Sequence, residues 1–372
     1  MQKALKTRQI CLFFVALMPM TKIFMMPSVI AGTADEDLWL SALINLMADA
    51  FTLAVLVFLC GKSDKTFFTM SEELFGKATA KFVLFLYAVY FIFKAIVPIN
   101  EQKDYVELTL YVSLPDFILF VGFFVVALYL CTKKLRVLGR LSDVIWVTAS
   151  VGVIILLALS LPNTDFEALL PIGANGATKV FSGSLKALNW YGDGAYFLFF
   201  IGEYEHKKKD AAKILLSYAV AAVAVLSFII VFYCTFSSIA FRQRIALTDI
   251  SKYTALISTI GRFDYIAIFF ILFTSAFSLI VPVFFSSYIL KRIFPCKISG
   301  LYPAFILGLL LYLTLFKEQY YASIENFAIN RSGALFIIFG NVLPVLFAVS
   351  FKIAKRRKNR NAEGHKLEVQ ND

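Results

Sequence analysis

Charged residues are scarce in this 372-residue chain, and that scarcity sets its class. Asp, Glu, Lys and Arg make up 16% of the sequence and hydrophobic residues make up 60%, which gives a mean hydropathy of +0.77. Soluble domains hold roughly 45–50% apolar residues. The composition therefore excludes a soluble enzyme and predicts an all-α polytopic membrane protein built from helices of about 20 apolar residues.

Histidine and cysteine are also few, which limits the available chemistry. The only histidines, His206 and His365, lie in basic polar segments, and the five cysteines include no CxxC pair. A catalytic triad or a metal cluster cannot be assembled from these residues. We therefore expect no enzyme activity, no cofactor and no disulfide framework.

Apolar runs indicate ten transmembrane spans. They cover 10–30, 40–60, 82–97, 117–131, 144–161, 187–201, 214–236, 265–290, 301–316 and 335–351. With the N-terminus in the cytoplasm, the inner segments carry 25 of the 36 Lys and Arg residues, and the outer segments carry 9. This asymmetry follows the positive-inside rule, so both termini are expected in the cytoplasm. Membrane orientation explains the net charge of +11 better than nucleic-acid binding does.

The span order predicts one membrane domain over 1–354 and a basic cytoplasmic tail over 355–372. Two inverted repeats of five helices would cover about 8–161 and 178–316, with further helices to 354. Spans one and six are then equivalent. Interrupted helices at matching positions of two halves indicate the binding site of a transporter-like fold.

Both of these spans carry helix-breaking residues. Pro19 and Pro27 bracket a polar pair in span one, and a Gly-Asp-Gly sequence opens span six. We expect a ligand cavity between the breaks, where free N–H and C=O groups would meet the charged ends of a zwitterion. Its predicted lining is Met20, Thr21, Lys22, Tyr191, Gly192, Asp193 and Gly194. The alternative is that Pro19 only kinks span one and that 189–194 is an outer loop.

Ionisable residues inside the spans are candidates for function. Lys22 and Asp49 each lie nine residues from the outer end of their span, about 13 Å deep, so they can pair. Lys22 is part of the ligand cavity in one interpretation and of a structural Lys22–Asp49 ion pair in the other, and the two are not exclusive. Asp193 either faces the ammonium of a ligand or caps the helix that follows it. Lys94 is expected to reach the outer interface. The outer segments 162–186 and 242–262 form either lids over the site or ordinary surface loops.

Five short motifs, together with the span count and spacing, resemble a known family. They are Thr7-Arg8-Gln9-Ile10, Met26-Pro27-Ser28-Val29-Ile30-Ala31, Asp37-Leu38-Trp39-Leu40-Ser41, Gly139-Arg140-Leu141-Ser142-Asp143 and Asn341-Val342-Leu343-Pro344. The chain resembles the B subunits of spore germinant receptors, which are permease-like proteins of the amino acid–polyamine–organocation superfamily.

The resemblance implies a leucine-transporter-like fold with broken helices 1 and 6. It also implies a small nutrient such as an amino acid as the ligand, and spore germination as the response. The implied partners are a larger A subunit and a lipoprotein C subunit in the spore inner membrane. A proton-coupled amino acid or amine transporter is the alternative. Met20, Thr21 and Lys22 depart from the family, which often has small residues there.

Sodium-coupled relatives of this fold hold a cation between the first-helix break and span eight. Here Lys22 is a candidate to replace that ion and to couple ligand binding to pH, with three hydroxyls of span eight facing it. These are Thr274, Ser275 and Ser278, which share one helix face and for which close helix packing is the favoured interpretation. The rival is the static Lys22–Asp49 pair.

Overall fold

Helices make up nearly all of the structure, a computed structural model that describes residues 4–60, 63–109, 116–252, 264–316, 323, 326–327 and 332–356. In these ranges no strand forms, and an isolated β-bridge joins Leu5 to Tyr204. The predicted all-α polytopic class is confirmed. The tail beyond Arg356 lies outside the described residues, so the boundary between the 1–354 domain and the tail stays a prediction.

Span one is broken, a few residues later than expected. Helix α1 runs over Thr7–Lys22 and helix α2 over Met26–Ala34. Pro19 does not end α1, because the helix closes with a bond from the Ile23 N–H to the Pro19 carbonyl at 3.1 Å. Pro27 lies in the first turn of α2, where a missing N–H carries no penalty. The break therefore falls at 23–25, directly after Lys22.

The remaining spans form long helices that match most of the apolar runs. They are α3 (Leu38–Cys60), α5 (Lys77–Thr109), α6 (Asp116–Cys131), α7 (Leu135–Ser160), α9 (Asp210–Phe236), α11 (Asp264–Ile293), α12 (Leu301–Phe316) and α13 (Gly333–Arg356). Shorter helices connect them: α4 (Phe67–Phe75), α8 (Gly176–Lys186) and α10 (Ala246–Lys252). Six apolar stretches of the described residues are long enough to cross a bilayer, and two more are shorter.

Span six is the second broken element. A short 3₁₀ turn over Leu188–Trp190 follows α8, and a 3₁₀ helix over Asp193–Phe200 continues the chain beyond Gly192. A 3₁₀ helix of eight residues is unusually long. Helix α8 covers the end of the outer segment 162–186 and packs against α2 and α3. It leads into the 3₁₀ turn that precedes the break at Gly192.

Aromatic side chains fill the bundle between the two breaks and the face that carries the N-terminus, here named the inner face. Phe285 of α11 is central to this packing. Its ring centroid lies 5.1–6.4 Å from those of Phe13, Phe91, Tyr196, Phe199 and Phe200. Pairs of rings at this spacing add stability beyond the area they bury. The cluster separates the breaks from the inner face.

Candidate functional site

A buried ion pair joins the two broken spans. The Lys22 ammonium, at the last residue of α1, contacts Oδ2 of Asp193, the first residue of the 3₁₀ helix, and neither side chain is exposed. Lys22 also donates to Oγ1 of Thr21 at 3.1 Å and lies 5.1 Å from the centroid of the Tyr191 ring. The alternative of a structural Lys22–Asp49 pair is wrong, because Lys22 pairs with Asp193 of span six.

Asp49 instead caps the break of span six. Its carboxylate accepts the N–H of Gly192 at 2.9 Å and that of Asp193 at 3.1 Å, so it stabilises the positive end of the 3₁₀ helix. The cap therefore comes from α3, and the expectation that Asp193 itself caps this helix is wrong. The N–H groups expected to bind a ligand already have a partner within the chain.

Lys94 is a second buried cation at the same place. Its ammonium lies 3.0 Å from Oδ1 of Asp193 and donates to the carbonyl of Tyr191. Its predicted position at the outer interface is wrong, because α5 continues through Pro98 to Thr109 and places Lys94 inside a 33-residue helix. Two lysines and two aspartates are thus buried together with no net charge. We name Lys22, Asp49, Lys94 and Asp193 the charge cluster.

Backbone irregularities of three spans converge on Gly192. Its φ of +84° suits glycine, and a Cβ there would lie 2.8 Å from the Tyr90 hydroxyl oxygen and 3.1 Å from the Gly340 Cα. Gly340 belongs to a π-helical segment of α13 over Ile338–Val342, a feature often found at functional sites. The π-helical segment therefore borders the charge cluster together with the breaks of spans one and six.

Glu101 of α5 lies between the breaks, and the sequence reasoning missed it. A single carboxylate oxygen, Oε1, accepts the Met25 N–H at 3.1 Å and the indole N–H of Trp190 at 2.8 Å. The apolar run of span three ends at Val97, so Glu101 lies outside the predicted span. Its spacing of seven residues from Lys94 places both on one face of a continuous helix, and this signal could have found it.

The hydroxyls of span eight bond elsewhere. Thr274, Ser275 and Ser278 donate to carbonyls of their own helix at 2.6–2.8 Å. The Gln102 amide donates to the Ser275 carbonyl and to Oγ of Ser278 at 3.1 Å. No hydrogen bond found among the described residues joins them to Lys22. Their arrangement fits helix packing better than a cation site with Lys22.

The predicted lining residues lie buried beside the two breaks. Met20, Thr21, Lys22 and Asp193 are all at least 94% buried, and Gly194 packs with its Cα against the α3 backbone near Asp49 and Leu53. These side chains are therefore inside the bundle, and the ligand cavity between the breaks stays a prediction. A cavity of about 720 Å³ lies at the inner face, where Arg8 pairs with Asp143 at 3.1 Å.

Comparison with known proteins agrees with this architecture. A family model described as spore germination protein matches residues 4–322. The structure of MhsT in complex with L-phenylalanine is similar with a TM-score of 0.59 at 11% identity, over 93% of this chain and 97% of MhsT. The Eremococcus coleocola manganese transporter gives 0.59 at 11% identity, over 91% of this chain and 78% of the transporter. No curated protein sequence matches the chain.

At such low identity the two structures show the fold alone. Both are transporters of the leucine-transporter fold, so the expected fold with broken helices 1 and 6 is confirmed. Family and fold are those of permeases rather than of enzymes.

Proposed function

The chain belongs to the spore germination protein family, and from that membership we propose how it binds its nutrient. It is a membrane permease-like subunit of a germinant receptor. We place the nutrient, an amino acid or a similar zwitterion, at the charge cluster. The observation that carries this placement is the buried Lys22–Asp193 pair, which connects the two broken helices directly.

A zwitterion can enter this pair without leaving a buried charge unpaired. Its carboxylate would take the place of Asp193 beside Lys22, and its ammonium would take the place of Lys22 beside Asp193. Asp193 keeps its contact with Lys94 at 3.0 Å throughout. Unpaired buried charges are strongly unfavourable, so a net-neutral ligand suits a cluster whose own charges cancel. Asp49 and Lys94 hold the peptide groups at 191–193, and the ligand is recognised by side chains.

Binding of this kind requires no coupling metal ion. Lys22 supplies positive charge at the first-helix break, where sodium-coupled proteins of this fold hold a cation, and Lys94 supplies a second positive charge at the break of span six. The rearranged ion pair would change the angle between the two halves of each broken span. That change is the signal we propose for germination, passed on to an A subunit and a lipoprotein C subunit in the spore inner membrane, with both termini of this chain in the cytoplasm.

Binding measurements on the purified chain test the placement. Isothermal titration with a panel of amino acids should find a ligand, and analogues lacking either the amino or the carboxyl group should bind at least about tenfold more weakly, the loss of one charged hydrogen bond. Lys22→Met should abolish binding. Lys65→Met removes a lysine whose pair with Glu73 is about half exposed and should leave binding intact. Equal binding by wild type and Lys22→Met would refute the placement.

The alternative, a proton-coupled transporter of amino acids or amines, is not favoured by the family to which the chain belongs. Uptake of a labelled amino acid by proteoliposomes that contain this chain alone would support it. The germinant receptor function predicts binding without sustained uptake, together with a requirement for partner subunits in the spore.

A further inference from the structure

One face of α5 contacts the broken span six at three successive levels. Tyr90, Lys94 and Glu101 are spaced by four and seven residues, so they lie in one row along the helix. Tyr90 lies against Gly192, Lys94 binds the Tyr191 carbonyl and Asp193, and Glu101 accepts the indole N–H of Trp190. Span three therefore fixes span six on both sides of its break.

Glu101 differs from the other two because it also holds span one. The oxygen that binds Trp190 also accepts the N–H of Met25, the residue before α2, and no side chain of α2 caps that helix start. A carboxylate suits this position, because it meets both a hydrogen-bond donor and the positive end of the α2 dipole. Glu101 is only 1% exposed, so both bonds are shielded from water. The start of α2 and the turn before the break of span six thus share one buried hydrogen-bond acceptor.

The position of this contact relative to the charge cluster indicates its role. Glu101 is seven residues, about 10 Å along the helix axis, further from the inner face than Lys94. The aromatic cluster around Phe285 closes the inner side of the breaks. α2 and the Trp190 turn lie on the outer side of the breaks, and both bonds to Glu101 oppose their separation.

We propose that Glu101 is a positioning residue that keeps the outer entrance to the charge cluster closed by tying α2 to Trp190. This inference deepens the proposed function, because it concerns access to the same site. Its test uses no nutrient and can therefore fail independently of nutrient binding.

Thiol labelling of the purified full-length chain provides the test. In a background without the five native cysteines, a reporter Thr21→Cys lies beside the charge cluster, and a second reporter, Ser142→Cys, lies buried near the inner end of α7. Each is reacted separately with a charged methanethiosulfonate reagent. Glu101→Ala should accelerate labelling at position 21 by at least about tenfold, since two hydrogen bonds to a charged group are lost. Labelling at position 142 should stay unchanged.

Two further variants complete the experiment. Glu101→Gln keeps an oxygen for both N–H groups but loses the charge, so labelling should rise less than with alanine. Asp104→Asn removes the charge of a buried carboxylate on the same helix that binds Arg244 at 2.9 Å, and it should leave labelling at position 21 at the parent rate. Equal acceleration at positions 21 and 142, or an unchanged rate at position 21 in Glu101→Ala, would overturn the proposal. If the alanine variant does not fold, an unchanged rate in Glu101→Gln would overturn it.

Discussion

Asp193 is the residue on which the stability of the charge cluster depends most. It is shared by two lysines, since Oδ2 contacts Lys22 and Oδ1 lies 3.0 Å from Lys94. Asp193→Asn leaves two buried ammonium groups with only Asp49 to balance them, a net charge of +1. Breaking a buried pair by removing one partner costs about 3–5 kcal/mol, and we expect a loss of stability in that range.

Lys22→Met also leaves one charge unbalanced, a net charge of −1. It should still be milder, because Asp193 keeps Lys94 as its partner and Asp49 keeps the N–H groups of Gly192 and Asp193. The variant loses about one hydrogen bond to a charged group, roughly 1.5–3 kcal/mol. The double variant Lys22→Met/Asp193→Asn leaves Lys94 and Asp49, whose charges cancel. It should therefore be more stable than Asp193→Asn alone, with a coupling energy of about 0.5–3 kcal/mol.

Urea unfolding of the full chain in mixed micelles, followed by tryptophan fluorescence, measures these differences. The double variant, in which the charges of Lys94 and Asp49 cancel, should fold. It should still fail to bind the nutrient, because both side chains proposed to contact the zwitterion are gone. The reasoning fails if Asp193→Asn is as stable as Lys22→Met, or if the losses of the two single variants simply add in the double variant.

Three further predictions concern the backbone, the orientation and the ions. Gly202→Ala should lower stability more than Gly76→Ala: both glycines have φ near +80°, but only the Gly202 Cβ would clash, at 2.6 Å from the Lys65 backbone. The measure is the difference in unfolding midpoint between the two variants, and equal midpoints would contradict it. Cysteines placed at Lys208 and Arg356, both in predicted cytoplasmic segments, should be labelled from the same side of the membrane. Labelling from opposite sides would contradict the proposal that both termini are cytoplasmic. Nutrient binding should persist when sodium is replaced by choline, and a strict sodium requirement would contradict the role given to the lysines.

Some features of this protein follow from the sequence by itself. The all-helical membrane class and most of the spans are readable because hydropathy is a local property summed over about 20 residues. Broken spans one and six are readable as well, since proline and glycine act on the backbone beside them. The depth of Lys22 and Asp49 follows from the rise per residue of a helix, and both are fully buried.

The partners of these charges were decided only by the tertiary structure. Depth along the membrane does not say which way a helix is rotated about its axis. Equal depth therefore suggests a Lys22–Asp49 pair, although the partner of Lys22 is Asp193, 171 residues later. The apolar run ends at Val97, which suggests an interfacial Lys94 and leaves Glu101 outside the span, whereas packing carries α5 to Thr109. Buried polar residues extend that helix, and their partners come from spans distant in sequence. Local hydropathy registers such residues as the end of a span, and only the folded bundle shows that they are satisfied inside it.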